Sequence, residues 1–220
     1  MTSLMPDLSP PAANQRLLQR YYRFHSRVYD ATRWLFLFGR DELIHRAVQG
    51  PVPRRVLEVG CGTGKNLLAL RRSFPDAKLV GLDLSRAMLR QARRNLGPLA
   101  GGVRLVHRPY DRPAGQDGPF DLIVMSYTLS MINPGWGEVI DLARRDLAPG
   151  GRLAVVDFHH SPVRAFKRWM RFNHVRMDAH LLTRLRDRFE PQHVSTCPAY
   201  GGLWSYFLFI GKKKWIVDSG

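Results

Sequence analysis

The chain has 220 residues, 45% of them hydrophobic and 10% aromatic, which suits one α/β domain with a sizeable core and excludes a disordered polymer or two full domains. Its 34 Lys and Arg against 18 Asp and Glu leave a formal charge of +16, so the surface attracts polyanions, either nucleic acid or an anionic bilayer. Of its 2 cysteines, Cys61 and Cys197, the first sits in a glycine-rich motif where a disulfide blocks ligand approach, so a reducing cytosol is expected.

Residues 1–13 read as a Pro-rich tail with no signal-peptide core, and residues 14–49 as one or two helices rich in Arg and aromatics, ending at the Gly50-Pro51 breaker. This region is expected to form a lid or membrane contact preceding a cofactor-binding domain over 50–220. From residue 54 strands and helices alternate: RRVLEVG (54–60), a helix near 64–73, KLVGLDLS (78–85), and a helix near 86–96. VRLVHR (103–108), DLIVMSY (121–127), a helix near 136–147 and RLAVVDF (152–158) follow. The apolar runs are those of parallel strands buried on both faces, so five parallel strands in a Rossmann-like, doubly wound α/β sheet are predicted. A basic helical insertion near 162–190, a Pro- and Gly-punctuated segment and a strand near 204–212 complete the chain, the ends forming an antiparallel edge. The longest apolar runs, WLFLF (34–38) and YFLFI (206–210), are far too short to span a bilayer.

VLEVGCGTG (56–64) takes a buried strand through Glu58 into Gly60, Gly62 and Gly64, where glycine lets the backbone approach a ligand. A dinucleotide site spaces its glycines differently and binds pyrophosphate, which Glu58 repels; the ammonium of an amino acid is attracted. Asp83 ends the second strand, placed to accept hydrogen bonds from ribose hydroxyls. Ribose plus an aminoacyl tail predicts S-adenosyl-L-methionine as cofactor.

Over about 54–158 the sequence resembles the class I methyltransferases. The resemblance implies that Gly60, Gly62, Thr63, Gly64 and Asn66, with Glu58, hold the methionine portion, that Asp83 holds the ribose, and that Ser126 adjoins the cofactor. Leu84 and Met88 take positions that flank the adenine, or belong to the core. Asp111 in HRPYD (107–111) reaches the adenine amino group on this reading, although the acid that normally follows that strand directly is displaced. LAPGGRLAVVDF (147–158) resembles the family's late motif, with Pro149, Gly150 and Gly151 turning a helix into the fifth strand. Asp157 is either a strand-end acid or a cap for the helix that follows.

SYTLSM (126–131) follows the fourth strand, at the edge where open α/β sheets bind ligands. It lacks the prolines with which methyltransferases of DNA bases grip a flipped base, which disfavours nucleic acid. Two stretches, 16–40 and 163–189, interleave Arg with Trp, Phe, Leu and Met. Such a helix either lies in a headgroup layer or packs its apolar stripe on the sheet as a lid.

YYRFHSRVYDATRWLFLFGRDELI (21–44), MSYTLSMI (125–132) and VVDF (155–158) resemble the bacterial betaine-lipid N-methyltransferases, with the phosphatidylethanolamine N-methyltransferases close by. The resemblance implies a lipid amine at an anionic membrane surface as acceptor, diacylglycerylhomoserine in the first family, and an enzyme peripheral to the inner face of the membrane. On it Tyr127 orients the amine with Tyr21, Tyr22 and Tyr29 as partners. Tyr127, Trp204 and an N-terminal Tyr cage the growing quaternary ammonium, Arg33 or Arg40 takes the acceptor carboxylate, and Ser130 lines the substrate side. No metal is expected, since His159 and His160 point opposite ways on a strand end, and Ser126 and Ser130 lack the partners of a nucleophile.

Overall fold

The computed structural model describes residues 37–172 and 175–214. Two compact units divide the chain, 1–37 and 38–220, and every element below belongs to the second. Helix α1 (Arg40–Val48) leads into β1 (Arg55–Val59), α2 (Lys65–Ser73), β2 (Lys78–Asp83), α3 (Arg86–Leu96), β3 (Val103–His107) and β4 (Phe120–Ser126). Then come α4 (Trp136–Asp146), β5 (Leu147–His160), α5 (Arg164–Phe172), α6 (His180–Arg188), β6 (Phe189–Ala199) and β7 (Trp204–Lys213). The strand order is β3-β2-β1-β4-β5-β7-β6. The first five strands run parallel, and β7 is antiparallel to both β5 and β6.

The doubly wound architecture agrees with the strand and helix pattern. Strand order reverses between β1 and β4, so right-handed crossovers place the helices before and after β4 on opposite faces. Accordingly α1 packs on α2 and α2 on α3, while α4 packs on α6. Period 2 sorts the strand residues between these faces. Leu57, Val59, Ile123, Met125, Leu153 and Val155 join Val139, Ile140, Ala143, Leu181 and Leu185 in one core. Glu58, between Leu57 and Val59, therefore projects toward the α2 side. On α3, Ser85 accepts from the Met88 N–H at 3.3 Å as N-cap, and Leu89, Ala92 and Leu96 form the buried stripe.

Three expectations change. Helix α1, grouped by sequence with the preceding region, packs within the larger unit on α2, β5 and β7. The insertion at 162–190 is two helices rather than one continuous stretch. The Pro- and Gly-punctuated segment contains β6, since Pro191 and Pro198 are tolerated on an outermost strand that needs only one ladder of hydrogen bonds. Strand β7 is then interior, and its run Phe207, Leu208, Phe209, Ile210 is buried throughout, as a strand covered on both faces requires. No helix of the described residues is long and apolar enough to cross a membrane. The tail at 1–13, most of the helical region at 14–49, and Tyr21, Tyr22, Tyr29 and Arg33 lie outside the described residues.

Candidate active site

At the carboxyl end of β1 the chain turns through three glycines in the left-handed region, with φ of 70° at Gly60, 53° at Gly62 and 74° at Gly64. The turn is pinned to β2 because the Gly60 and Cys61 N–H groups both donate to the Leu82 carbonyl, at 2.8 and 2.9 Å. Two of the glycines answer to packing. A Cβ at Gly60 would lie 2.5 Å from Thr128 Oγ1, and one at Gly64 would lie 3.0 Å from Ala92 Cβ. A Cβ at Gly62 would meet nothing within 4 Å, so its side opens where a ligand can approach the backbone.

Two carboxylates flank this opening. Glu58 is 1% exposed; its Oε1 accepts from Asn66 Nδ2 at 2.8 Å, and Asn66 Oδ1 accepts from Arg40 Nη2 at 3.1 Å. Its Oε2 is buried without a hydrogen-bond partner. Burial raises the Glu58 carboxyl to about 8, against the lowering effects of Asn66 and Arg40. A buried carboxyl with one oxygen unmatched suits a cationic donor. Asp83 is half-buried, with Oδ2 accepting from the Gly62 N–H and Oδ1 from the Ser85 N–H, both at 2.8 Å. The acid thus shapes the glycine turn and keeps lone pairs for further donors.

Beyond Asp83, Leu84 is 62% exposed, a large apolar side chain open at the strand end. His107 pairs with Asp83 in register and its Nε2 lies 2.9 Å from the Leu84 carbonyl. Because Arg86 Nε donates to His107 Nδ1 at 3.3 Å, the ring proton is on Nε2 and points at that carbonyl. Met88 is half-buried one turn into α3. Asp111 lies apart, exposed and 3.7 Å from Arg108 Nη1, so the side chain beside Leu84 is His107. Thr63 is exposed, and its carbonyl accepts from Asn95 Nδ2 at 2.9 Å.

Across the topological switch, β4 ends in buried Ser126, whose Oγ has no hydrogen-bond partner. Tyr127 follows with φ of 52°, an uncommon conformation for a side chain of its size. Its N–H donates to the Val156 carbonyl at 2.8 Å, its hydroxyl to the Phe38 carbonyl at 2.9 Å, and its ring lies 4.8 Å from that of Phe158. Trp204 packs on the other side of Phe158 at 5.1 Å and on Phe38 at 5.8 Å, while Phe38 also meets Tyr200 at 5.3 Å and Tyr206 at 6.2 Å. Tyr127 and Trp204 are buried inside this aromatic wall; the rings at its surface are Phe38, 39% exposed, and Tyr200, 50% exposed. Thr128 joins the two halves: its Oγ1 donates to the Val59 carbonyl at 3.0 Å and fills the space beside Gly60.

Ser130 is buried on a 3-10 turn (Leu129–Met131). Its N–H donates to Asp157 Oδ2 at 3.1 Å, and Asp157 Oδ1 accepts from the Phe158 N–H at 2.8 Å. Asp157 is therefore a cap, but for the turn after β4 and not for the helix that follows it. Burial pushes its carboxyl up to about 6. Arg40, one of the two arginines that the resemblance offers for the acceptor carboxylate, donates to Asn66 on the glycine-turn side. Among the described residues no cluster of His, Cys, Asp or Glu could hold a metal. Phe38, His107, Thr128 and Tyr200 were not named for this site by the sequence reading, although Phe38, His107 and Thr128 lie inside the FGR, HRPYD and SYTLSM pieces it singled out.

Residues 56–151 match the family model described as "Methyltransferase domain". Over that segment the chain is similar to methyltransferase domains, on the fold of the class I, S-adenosylmethionine-dependent methyltransferases. The glycine opening, the unmatched Glu58 oxygen and Asp83 fit that cofactor's aminoacyl tail and ribose. Relatives of this domain include the biotin biosynthesis bifunctional protein BioCD of Bordetella avium, 33% identical over 174 residues, which are 77% of this chain and 34% of that protein. The demethylmenaquinone methyltransferase of Thermus thermophilus is 32% identical over 142 residues, 63% of this chain and 64% of that one. The chain thus spans between a third and two thirds of the length of these curated relatives. The methyltransferase fold is shared with the 1,6-didemethyltoxoflavin-N1-methyltransferase of Burkholderia thailandensis, solved with bound 1,6-didemethyltoxoflavin and S-adenosylhomocysteine. That likeness has a TM-score of 0.70 and 17% identity, over 96% of this chain and 93% of the other.

Proposed function

We propose that the chain transfers methyl groups from S-adenosylmethionine to the amine of a membrane lipid headgroup, with a homoserine- or ethanolamine-type headgroup as acceptor. The observation that carries this reading is the aromatic wall standing against the glycine turn. Thr128 touches the turn from one side, and Tyr127, Phe158, Trp204, Phe38 and Tyr200 continue from it. Bound cofactor would supply an electrophilic methyl to a neutral amine, with S-adenosylhomocysteine as the leaving group and the proton displaced from nitrogen passing to solvent. The protein's own task is mainly alignment. Glu58 and Asp83 would hold the aminoacyl tail and the ribose, and the wall presents ring faces to an acceptor nitrogen that loses its hydrogen-bonding protons as methylation proceeds. Exposed Phe38, Tyr200 and Leu203 offer apolar surface to an acyl-bearing acceptor.

A second reading, methyl transfer to ring carbon of an apolar quinone, is favoured by the likeness to demethylmenaquinone methyltransferases. Incubation with methyl-labelled cofactor and, separately, homoserine-headgroup lipid, phosphatidylethanolamine, demethylmenaquinone and RNA, followed by solvent extraction, decides between them. Label in a lipid amine is expected. Label in the quinone alone, or in RNA alone, would overturn the lipid reading.

A further inference from the structure

We infer that helix α5 and the residues that anchor it form a docking surface for an anionic bilayer, separate from the cofactor site; the inference rests on the reading of a lipid acceptor. Helix α5 follows the carboxyl end of β5, on the same edge of the sheet as the aromatic wall. Two contacts tie its start to the segment that carries Trp204, and a third braces the turn itself. Ser161 Oγ donates to the Leu203 carbonyl at 2.6 Å and accepts from the Val163 N–H at 3.1 Å, and Ser205 Oγ donates to the His160 carbonyl at 3.1 Å. On the inner side of the helix Met170 is 2% exposed and Lys167 pairs with Asp178 at 3.3 Å. The outer side is apolar and cationic at once: Phe172 is 70% exposed and Trp169 48%, with exposed Arg164, Arg168 and Arg171 beside them.

Helical geometry separates these two chemistries. With 3.6 residues per turn, Phe172 and Trp169 occupy one flank of the outward face, and Arg164, Arg168 and Arg171 the other. A helix lying in a membrane interface places aromatic rings at the acyl boundary and guanidinium groups among the phosphates. Exposed Leu203 is bonded to the Ser161 anchor through its carbonyl, and exposed Tyr200 belongs to the aromatic wall. Exposed aliphatic Leu203 beside the anchor suits acyl chains. The excess of cation over the chain, +16, complements an anionic leaflet.

The test is co-sedimentation of the full chain with vesicles of phosphatidylcholine, or phosphatidylcholine with about one third phosphatidylglycerol, at about 0.1 M salt. Neither lipid carries an amine that can be methylated, so docking is measured apart from turnover. Retention on the anionic vesicles is expected. The R164Q/R168Q/R171Q variant should weaken it about 100-fold, and W169S/F172S about tenfold, while W169L/F172L preserves it. All variants should bind S-adenosylmethionine in calorimetry as the parent does, showing that the fold is intact. Equal retention of parent and variants, or equal binding to both kinds of vesicle, would overturn the inference. So would single-stranded RNA that removes the parent from vesicles at physiological salt and is itself bound through the same side chains. Intact docking with no methylated lipid amine would sink the acceptor reading alone; methylated lipid with variant-insensitive docking would sink the docking surface alone.

Discussion

On the β1–β2 side of the carboxyl edge, polar groups meet through short hydrogen bonds: Arg40 to Asn66, Asn66 to Glu58, and Gly62 to Asp83. On the β4–β5–β7 side the same edge is walled by aromatic rings, with polar atoms serving the backbone: Tyr127 bonds the Phe38 carbonyl, and Asp157 holds the Ser130 and Phe158 N–H groups. The first half is a preformed receptor for a zwitterion and a ribose. The second is a shaped apolar surface whose precision comes from packing. Damage to the first should appear in cofactor affinity with the fold retained, and damage to the second in stability and acceptor turnover with cofactor affinity retained.

The sharpest test is Gly62→Val. Its Cβ meets no protein atom, but a φ of 53° strains a β-branched residue, so the melting temperature should fall by several degrees with the fold retained, while S-adenosylmethionine affinity drops about 100-fold or more, because the branched side chain occupies the ligand's approach. Undiminished affinity in calorimetry would break the comparison. Next, Asp157→Ala strands two buried N–H groups and should cost about 3 kcal/mol in urea unfolding, with little change in cofactor affinity. Asp157→Asn, which keeps an acceptor oxygen, should cost less.

Glu58 gives an effect that depends on pH. Its folded carboxyl titrates at about 8 against an ordinary 4.5, so its contribution to the stability of the cofactor-free fold is full below the lower value and is lost as pH rises toward the upper one. A cationic ligand draws the ionised form, so affinity should climb between about pH 6 and 8, at most tenfold per unit, with proton release on binding. Titration in buffers of different ionisation heat measures that release, and Glu58→Gln should abolish it. The smallest effect belongs to Tyr127→Phe, about 1 kcal/mol for the lost bond to Phe38; a fall in cofactor affinity there would show that the halves are less independent than their contacts suggest.

How far the molecule was legible follows the same division. Most of the parallel strands were readable as largely apolar runs, outermost β3 with its exposed Arg104 least so, and the cofactor turn because Glu58, Gly60, Gly62, Gly64 and Asn66 lie within nine consecutive positions. The aromatic half draws on residues 38, 127, 158, 200, 204 and 206, which only the sheet brings together. Tyr127 and Trp204 were legible as aromatics near the acceptor side, but not as the buried layer behind Phe38 and Tyr200. Asp111 came from the family resemblance, whereas the pairing of Asp83 with His107 exists only in the β2–β3 register. Strand β6 was hidden by prolines that an outermost strand accepts.

The order β5-β7-β6 constrains assembly. Strand β6 precedes β7 in the chain but gains its only neighbour from it, so during synthesis the segment 189–199 must wait, unpaired, until the next strand emerges and inserts. Removing residues from 204 onward would therefore release two strands at once and leave Leu153 and Val155 on an open sheet margin, a template for intermolecular pairing.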